Sequence, residues 1–293
     1  MEPAERIKGK RINVVAVARA AVNLLVSHPR VLVPFAVLAL VEIAQLFILA
    51  NSPHFPLNRV MAPPIQRIWG GVFLHYPYIY ELLPRLFYYA KMAAGVLIGG
   101  VTTATACVMV LQVQKGKRPL LKAAFRESLA RYVSLFLLMV LLYTAVHFAM
   151  KQPQILLALA FRGKAKLLFI GPRLWFEVIL PSALFLMAVV LQGLFVYSIP
   201  CIIIKGKKFL PALWGGIVFF FKNAARTIVL VGVPMVLYVP VTIVRSNINV
   251  LADKFGPESI VTVLLVSVLV SVLVVDALVT VATALYFIEA TDA

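Results

Sequence analysis

The chain has 293 residues, 62% hydrophobic and 13% charged, and its 28 Lys and Arg against 11 Asp and Glu give a net charge of +17. Mean hydropathy is +0.99; a soluble domain carries only about 45–50% apolar residues, so the composition excludes an ordinary water-soluble globular protein. Ionised groups are costly in hydrocarbon, so the positive charge must sit in the few segments outside it, where acidic lipid headgroups are a simpler partner than nucleic acid.

A bilayer-crossing helix needs about 20 apolar residues, because ~30 Å of hydrocarbon is covered at ~1.5 Å per residue. The basic start, with Lys8, Lys10 and Arg11, leads into an amphipathic stretch from Ile12 to His28 that puts Arg19, Asn23 and Ser27 on one helical face. No small-residue cleavage site follows, which predicts a retained N-terminus. The first span is predicted over 31–50 and carries Glu42 and Gln45 one turn apart. An outer loop over 51–89 holds prolines and Trp69, Tyr76, Tyr78, Tyr80, Tyr88 and Tyr89, which predicts an interfacial aromatic belt or a docking surface for a periplasmic partner or lipid.

The second span is predicted over 92–113. Its Gly95, Gly99, Thr103 and Cys107 form a small-residue ridge at i+4 spacing that lets another helix approach, and its threonines are expected to bond to carbonyls of their own helix. Further spans are predicted over 132–150, 178–204, 227–244 and 260–288, with Pro181 and Pro200 placed to stop or kink the fourth. The loop from Lys151 to Arg173 has five bases between apolar flanks and predicts an interfacial or re-entrant segment. In the sixth span Asp276, Thr280 and Thr283 share one helical face, with Ser267 and Ser271 opposite. An acid at this depth is a functional candidate. Both Asp276 and the Glu42–Gln45 pair admit two readings, a hydrogen-bonded helix contact or part of a transport pathway. Lys91 is the available base, but a place at the start of the second span disfavours it as a direct partner for a central Asp276.

Six bases in residues 1–30, six in 113–131 and five in 205–226 place 17 of the 28 on one side, which predicts both termini in the cytoplasm. Lys8-Gly9-Lys10-Arg11, Lys115-Gly116-Lys117-Arg118 and Lys205-Gly206-Lys207-Lys208 repeat one tag, and "FRESLARYVSLF" from Phe125 aligns with "FFKNAARTIVLV" from Phe220, matching Arg131 to Arg226. Arg30 takes the same place in the first unit. The pattern predicts an all-α polytopic protein of six spans in three repeated hairpins, 1–114, 115–204 and 205–293, each led by a cytoplasmic amphipathic interfacial helix. The headgroup candidates are Lys8, Lys10, Arg11, Arg30, Lys115, Lys117, Arg118, Arg131, Lys205, Lys207, Lys208 and Arg226.

Tyr197-Ser198-Ile199-Pro200, the basic turn Lys205-Gly206-Lys207 and Ala212-Leu213, with Ala123-Ala124-Phe125 and Ser128 in the second unit, make the chain resemble the prokaryotic six-helix membrane proteins that include the YciC-like proteins. It is also similar to the membrane domain of some glycerophosphodiester phosphodiesterases. The resemblance implies a prokaryotic inner-membrane protein and brings no catalytic residue with it.

The four histidines show no metal-binding spacing, Cys107 and Cys201 lie inside apolar runs, and no P-loop or nucleophile elbow occurs. The expectation is a protein without catalytic residues, metal or cofactor. It is read as a non-enzymatic membrane subunit or scaffold in envelope or lipid handling, binding anionic phospholipid and other membrane or periplasmic subunits. The alternative is a small-solute or lipid permease using Asp276 and Glu42, with Gln45, Thr280 and Thr283 as further intramembrane polar groups.

Overall fold

The computed structural model of the protein describes residues 13–160 and 179–292. Every regular element among them is helical: α1 (Val14–Ser27), α2 (Pro29–Ala50), α3 (Asn58–Trp69), α4 (Tyr78–Gln114), α5 (Leu121–Leu129), α6 (Tyr132–Ala160), α7 (Leu180–Ile203), α8 (Phe209–Lys222), α9 (Ala224–Val236), α10 (Val239–Ser246), α11 (Ile248–Phe255) and α12 (Ser259–Thr291). Among them α2, α4, α6, α7 and α12 are long and apolar enough to cross a membrane. The bent pair α8 and α9 makes a sixth only if two helices at 96° count as one span. This all-α architecture is compatible with a polytopic membrane protein.

Two predicted elements differ from the fold. The second span begins earlier than expected: α4 is one helix of 37 residues, about 55 Å long at ~1.5 Å per residue, so the stretch from Tyr78 to Tyr89 is helix and not loop. Pro84 lies inside it and removes one backbone donor without ending it. The predicted fifth span is broken. α9 stops at Val236 and α10 starts at Val239, because Pro240 has no N–H to donate to the Val236 carbonyl; Leu237 and Tyr238 turn on three-residue bonds to Pro234 and Met235 instead. Of the segment expected to be interfacial or re-entrant, the part up to Ala160 continues α6 as helix, and 161–178 lie outside the described residues.

α12 is the axis of the packing. Its C-terminal half, from Ala277 to Ile288, is buried at nearly every position, against α1, the C-terminal half of α4 and α9, while its N-terminal half packs on α2. Leu40, Val133, Trp214 and Phe221, in contrast, are 65–69% exposed. Such an apolar outside is a liability in water and suits lipid.

The two described tag turns end their helices by different chemistry. At the end of α4, Gly116 sits at φ +70°, a left-handed conformation that favours glycine. Its N–H donates to Val113 O and the Lys117 N–H to Gln112 O, at 2.9 Å each, which satisfies carbonyls the helix would leave open. At the end of α7, Gly206 has φ +64°, and the open carbonyls of Ile202 and Ile203 accept from the guanidinium of Arg131. A buried set at the α8–α9 bend completes this end. The Tyr286 hydroxyl donates to Asn223 Oδ1 at 2.7 Å and accepts from Arg226 Nη1 at 3.2 Å, and the Tyr197 and Thr227 hydroxyls meet at 3.0 Å.

Candidate functional site

Two spans change their winding where polar residues cluster. α4 contains a π segment over Gly95–Gly99 and α12 one over Leu269–Asp276. A π turn closes i→i+5, and such turns recur at functional sites. Residues five apart therefore approach one line, whereas a uniform α-helix at 100° per residue would set them about 140° apart. Ser271 and Asp276 are five apart within the π segment of α12, so the uniform 100° wheel that opposes them does not apply to this stretch. Thr280 and Thr283 are buried and belong to the following α-helical stretch, where Thr283 Oγ1 donates to the Val279 carbonyl at 2.7 Å. Thr102 and Thr105 likewise bond to Gly99 O and Val101 O within α4.

Lys91 joins α2 to α12. Its Nζ lies 3.2 Å from Glu42 Oε2 of α2 and donates to Ser271 Oγ of α12 at 2.8 Å. Asp276 is within electrostatic reach of both Lys91 and Glu42. The ammonium pairs with Glu42 and not directly with Asp276, in line with the expectation against a direct Lys91–Asp276 contact; the Glu42 partnership was not expected, and it arises because the helix starts at Tyr78 and Lys91 is an interior residue of α4. The Glu42 side chain is 3% exposed and that of Lys91 29%. Glu42 Oε2 and Gln45 Oε1 are both buried without a hydrogen-bond donor, so Glu42 is held by charge and not by an aligned hydrogen bond.

Tyr143 of α6 closes this region from the other side, within electrostatic reach of Asp276 and Glu42. A Cβ at Gly95 would overlap the Tyr143 phenol. The expected ridge changes accordingly. Gly99 has nothing nearer than 4.0 Å, whereas a Cβ at Gly100 would lie 2.9 Å from Met139 Cγ. The π segment thus makes Gly95 and Gly100 the close-approach residues toward α6. Further out, the Tyr88 hydroxyl lies 3.2 Å from His147 Nδ1.

The basic residues separate into two groups. Arg30 and Arg118, with Ser27, His28, Pro29 and Pro119, line a cleft of about 340 Å³. Both arginines are exposed, and Ser27 Oγ and His28 Nδ1 are 2.9 Å apart. The cleft lies at the N-terminal end of α2, where the helix dipole favours an anion. Lys115, Lys117, Lys207 and Lys208 are exposed; Lys205 Nζ sits 5.0 Å from the centre of the Phe287 ring, a cation–π contact. Arg131 and Arg226, grouped with them from the sequence, turn inward onto Ile202, Ile203 and Tyr286. Lys8, Lys10 and Arg11 lie outside the described residues. His28 and Ser27 were missed as cleft residues, although their adjacency to Arg30 was a usable signal.

Arg131 therefore acts as a helix cap. Charged hydrogen bonds contribute about 1.5–3 kcal/mol, so Arg131→Met is expected to lower stability by about that amount, read from the unfolding midpoint in detergent, without changing the number of lipids retained.

Among the described residues no three side chains converge to hold a metal ion, and Cys107 and Cys201 are buried free thiols. Comparison with protein families, curated proteins and solved structures finds no match for this chain.

Proposed function

We propose that this protein is a non-enzymatic integral membrane subunit or scaffold in cell-envelope or lipid handling, holding anionic phospholipid at its cytoplasmic rim. In this reading the membrane is a prokaryotic cytoplasmic one, both termini are inside, and the three tags open three repeated hairpins led by the interfacial helices α1, α5 and α8. The kinship to YciC-like proteins is part of the same proposal and rests on the residues quoted for it. The outer surface, with α3 and its flanking aromatics, is where a periplasmic or membrane partner would dock.

The cleft between Arg30 and Arg118 carries the reading. Arg30 and Arg118, from segments far apart in sequence, both line a cleft of about 340 Å³ beside a helix N-terminus, and a phosphodiester headgroup has the charge and acceptor oxygens to bridge two guanidinium groups. Each base near an anionic leaflet gains about 1 kcal/mol, so losing both is expected to weaken retention by about 2 kcal/mol, or roughly thirtyfold. Native mass spectrometry of chains released from mixed phosphatidylglycerol and phosphatidylcholine nanodiscs measures it. Wild type should retain the anionic lipid and the R30Q/R118Q double variant should lose it; equal retention of the two lipids by wild type sinks the proposal.

A second reading, a small-solute or lipid permease, is favoured by the charge cluster at two π segments in the spans. Its test is solute flux into proteoliposomes, in which Glu42→Gln and Asp276→Asn should each abolish uptake.

A further inference from the structure

The charged groups that meet between α2, α4 and α12 do not balance. Glu42 and Asp276 supply two carboxyls, and Lys91 supplies one ammonium, 3.2 Å from Glu42 and within electrostatic reach of Asp276. Facing them from the neighbouring elements are Ser271 on α12 itself, Tyr143 and His147 on α6, and Tyr88 on α4, with Arg245 of α10 in reach of Tyr88 only. α9 brings no ionisable group to this depth, since its Arg226 is held by Tyr286 at the other end. With both carboxyls ionised, the cluster would carry one uncompensated negative charge inside apolar spans, where an unpaired charge is expensive and neutralisation is the usual escape. Buried Glu42 Oε2 and Gln45 Oε1 lack donors, so hydrogen bonding does not absorb the excess.

We infer that Glu42, Lys91 and Asp276 form an intramembrane binding site for one proton, shared by two carboxyls that compete for a single ammonium. Lys91 pairs with Glu42 at 3.2 Å, and in this proposal the proton resides on Asp276, the carboxyl left without an ion partner. Tyr143, packed on Gly95, is within electrostatic reach of both carboxyls and of Tyr88, whose hydroxyl meets His147 Nδ1 at 3.2 Å. The two π segments carry the function here, because Ser271, which accepts from Lys91, and Asp276 both lie in the one of α12, and the one of α4 begins at Gly95, where Tyr143 packs. The site does not depend on the protein being a permease: a chain that transports no solute still has to hold this proton.

Charge neutrality predicts the number of protonated carboxyls as acids minus bases, and infrared difference spectroscopy of the full chain in proteoliposomes counts them through the carboxylic C=O band that shifts in heavy water. Wild type should show one such group in the cluster. Asp276→Asn should abolish it, and so should Glu42→Gln, because in each variant the remaining acid pairs with Lys91; Lys91→Met should double it. A purely structural polar contact has no reason to lose the band when the acid that does not carry the proton is removed. The inference is overturned if wild type shows no band, if either acid-to-amide variant keeps it, or if sodium ions at constant pH remove it, which would assign the site to a metal cation. If Lys91→Met does not fold, the two amide variants decide the matter.

Discussion

Lys91→Met is expected to be the most damaging single substitution among the charged residues, lowering stability by about 3–5 kcal/mol, the usual effect of leaving one member of a buried ion pair without its partner. Glu42 is the reason. Its side chain is 3% exposed and its Oε2 has Lys91 as ion partner and no hydrogen-bond donor, so nothing else compensates the carboxylate. The double variant Glu42→Gln, Lys91→Met removes both charges and should recover most of the loss, because replacing a whole buried pair is often close to neutral. The pH dependence has a definite sign. In the single variant both carboxyls must be neutral in the folded chain and are ionised in the unfolded one above the ordinary carboxylate range, so folding takes up protons and stability falls as pH rises. Thermal unfolding in detergent at several pH values measures all three. A single variant no less stable than the double one would remove Lys91 from the role given to it.

The cluster was only half legible in the sequence, and the reason lies in the winding. Glu42, Gln45 and Asp276 stand out because charged and amide residues are rare in apolar runs. Their partners do not, since a helical wheel at 100° per residue assumes uniform α geometry and the two π segments each break it. The wheel puts Gly99 on the ridge, whereas Gly100 is the residue that approaches α6, and it sets Ser271 opposite Asp276 across a segment whose π winding it does not describe. No local pattern announces a π turn in "GVLIG" or "LVSVLVVD". The pairing of Lys91 with Glu42 is hidden for a different reason: Pro84 and the tyrosines from Tyr76 to Tyr89 read as loop, which cuts the helix short and puts Lys91 at its edge. The apolar helices α2, α6, α7 and α12, the glycine turns at Gly116 and Gly206 and the apolar burial of both cysteines were readable because each depends on composition or on a single residue's backbone preference. The roles of Arg131 and Arg226 were not, because a base beside a membrane span looks the same in sequence whether it faces lipid or caps the neighbouring helix.

Two adjacent glycines in α8 supply a test of the packing that positions the third basic turn. A Cβ at Gly216 would stand 2.8 Å from the backbone N and 3.0 Å from the Cα of Ser198 in α7, while one at Gly215 would meet only Cys201 Sγ and Lys207 Nζ, at 3.5 Å each. Backbone cannot rotate away as a side chain can, so Gly216→Ala has to push α8 off α7. Overpacking of this kind costs about 1–3 kcal/mol, and this contact belongs at the upper end because removing the Ser198 hydroxyl would not relieve it. Gly215→Ala adds a methyl at ordinary contact distance and gains helix propensity of about 1 kcal/mol, so it should be neutral or slightly stabilising. The same chemical change one residue apart should therefore move the unfolding midpoint in opposite directions. Adding Ser198→Gly to Gly216→Ala should give little recovery, whereas Gly95→Ala, whose three nearest obstructing atoms all belong to the Tyr143 phenol, should be largely rescued by Tyr143→Ala. Equal midpoints for the Gly215 and Gly216 variants would mean that α8 does not pack on α7 at Ser198, and the turn from Lys205 to Lys208 would then lose the support that sets its place at the rim.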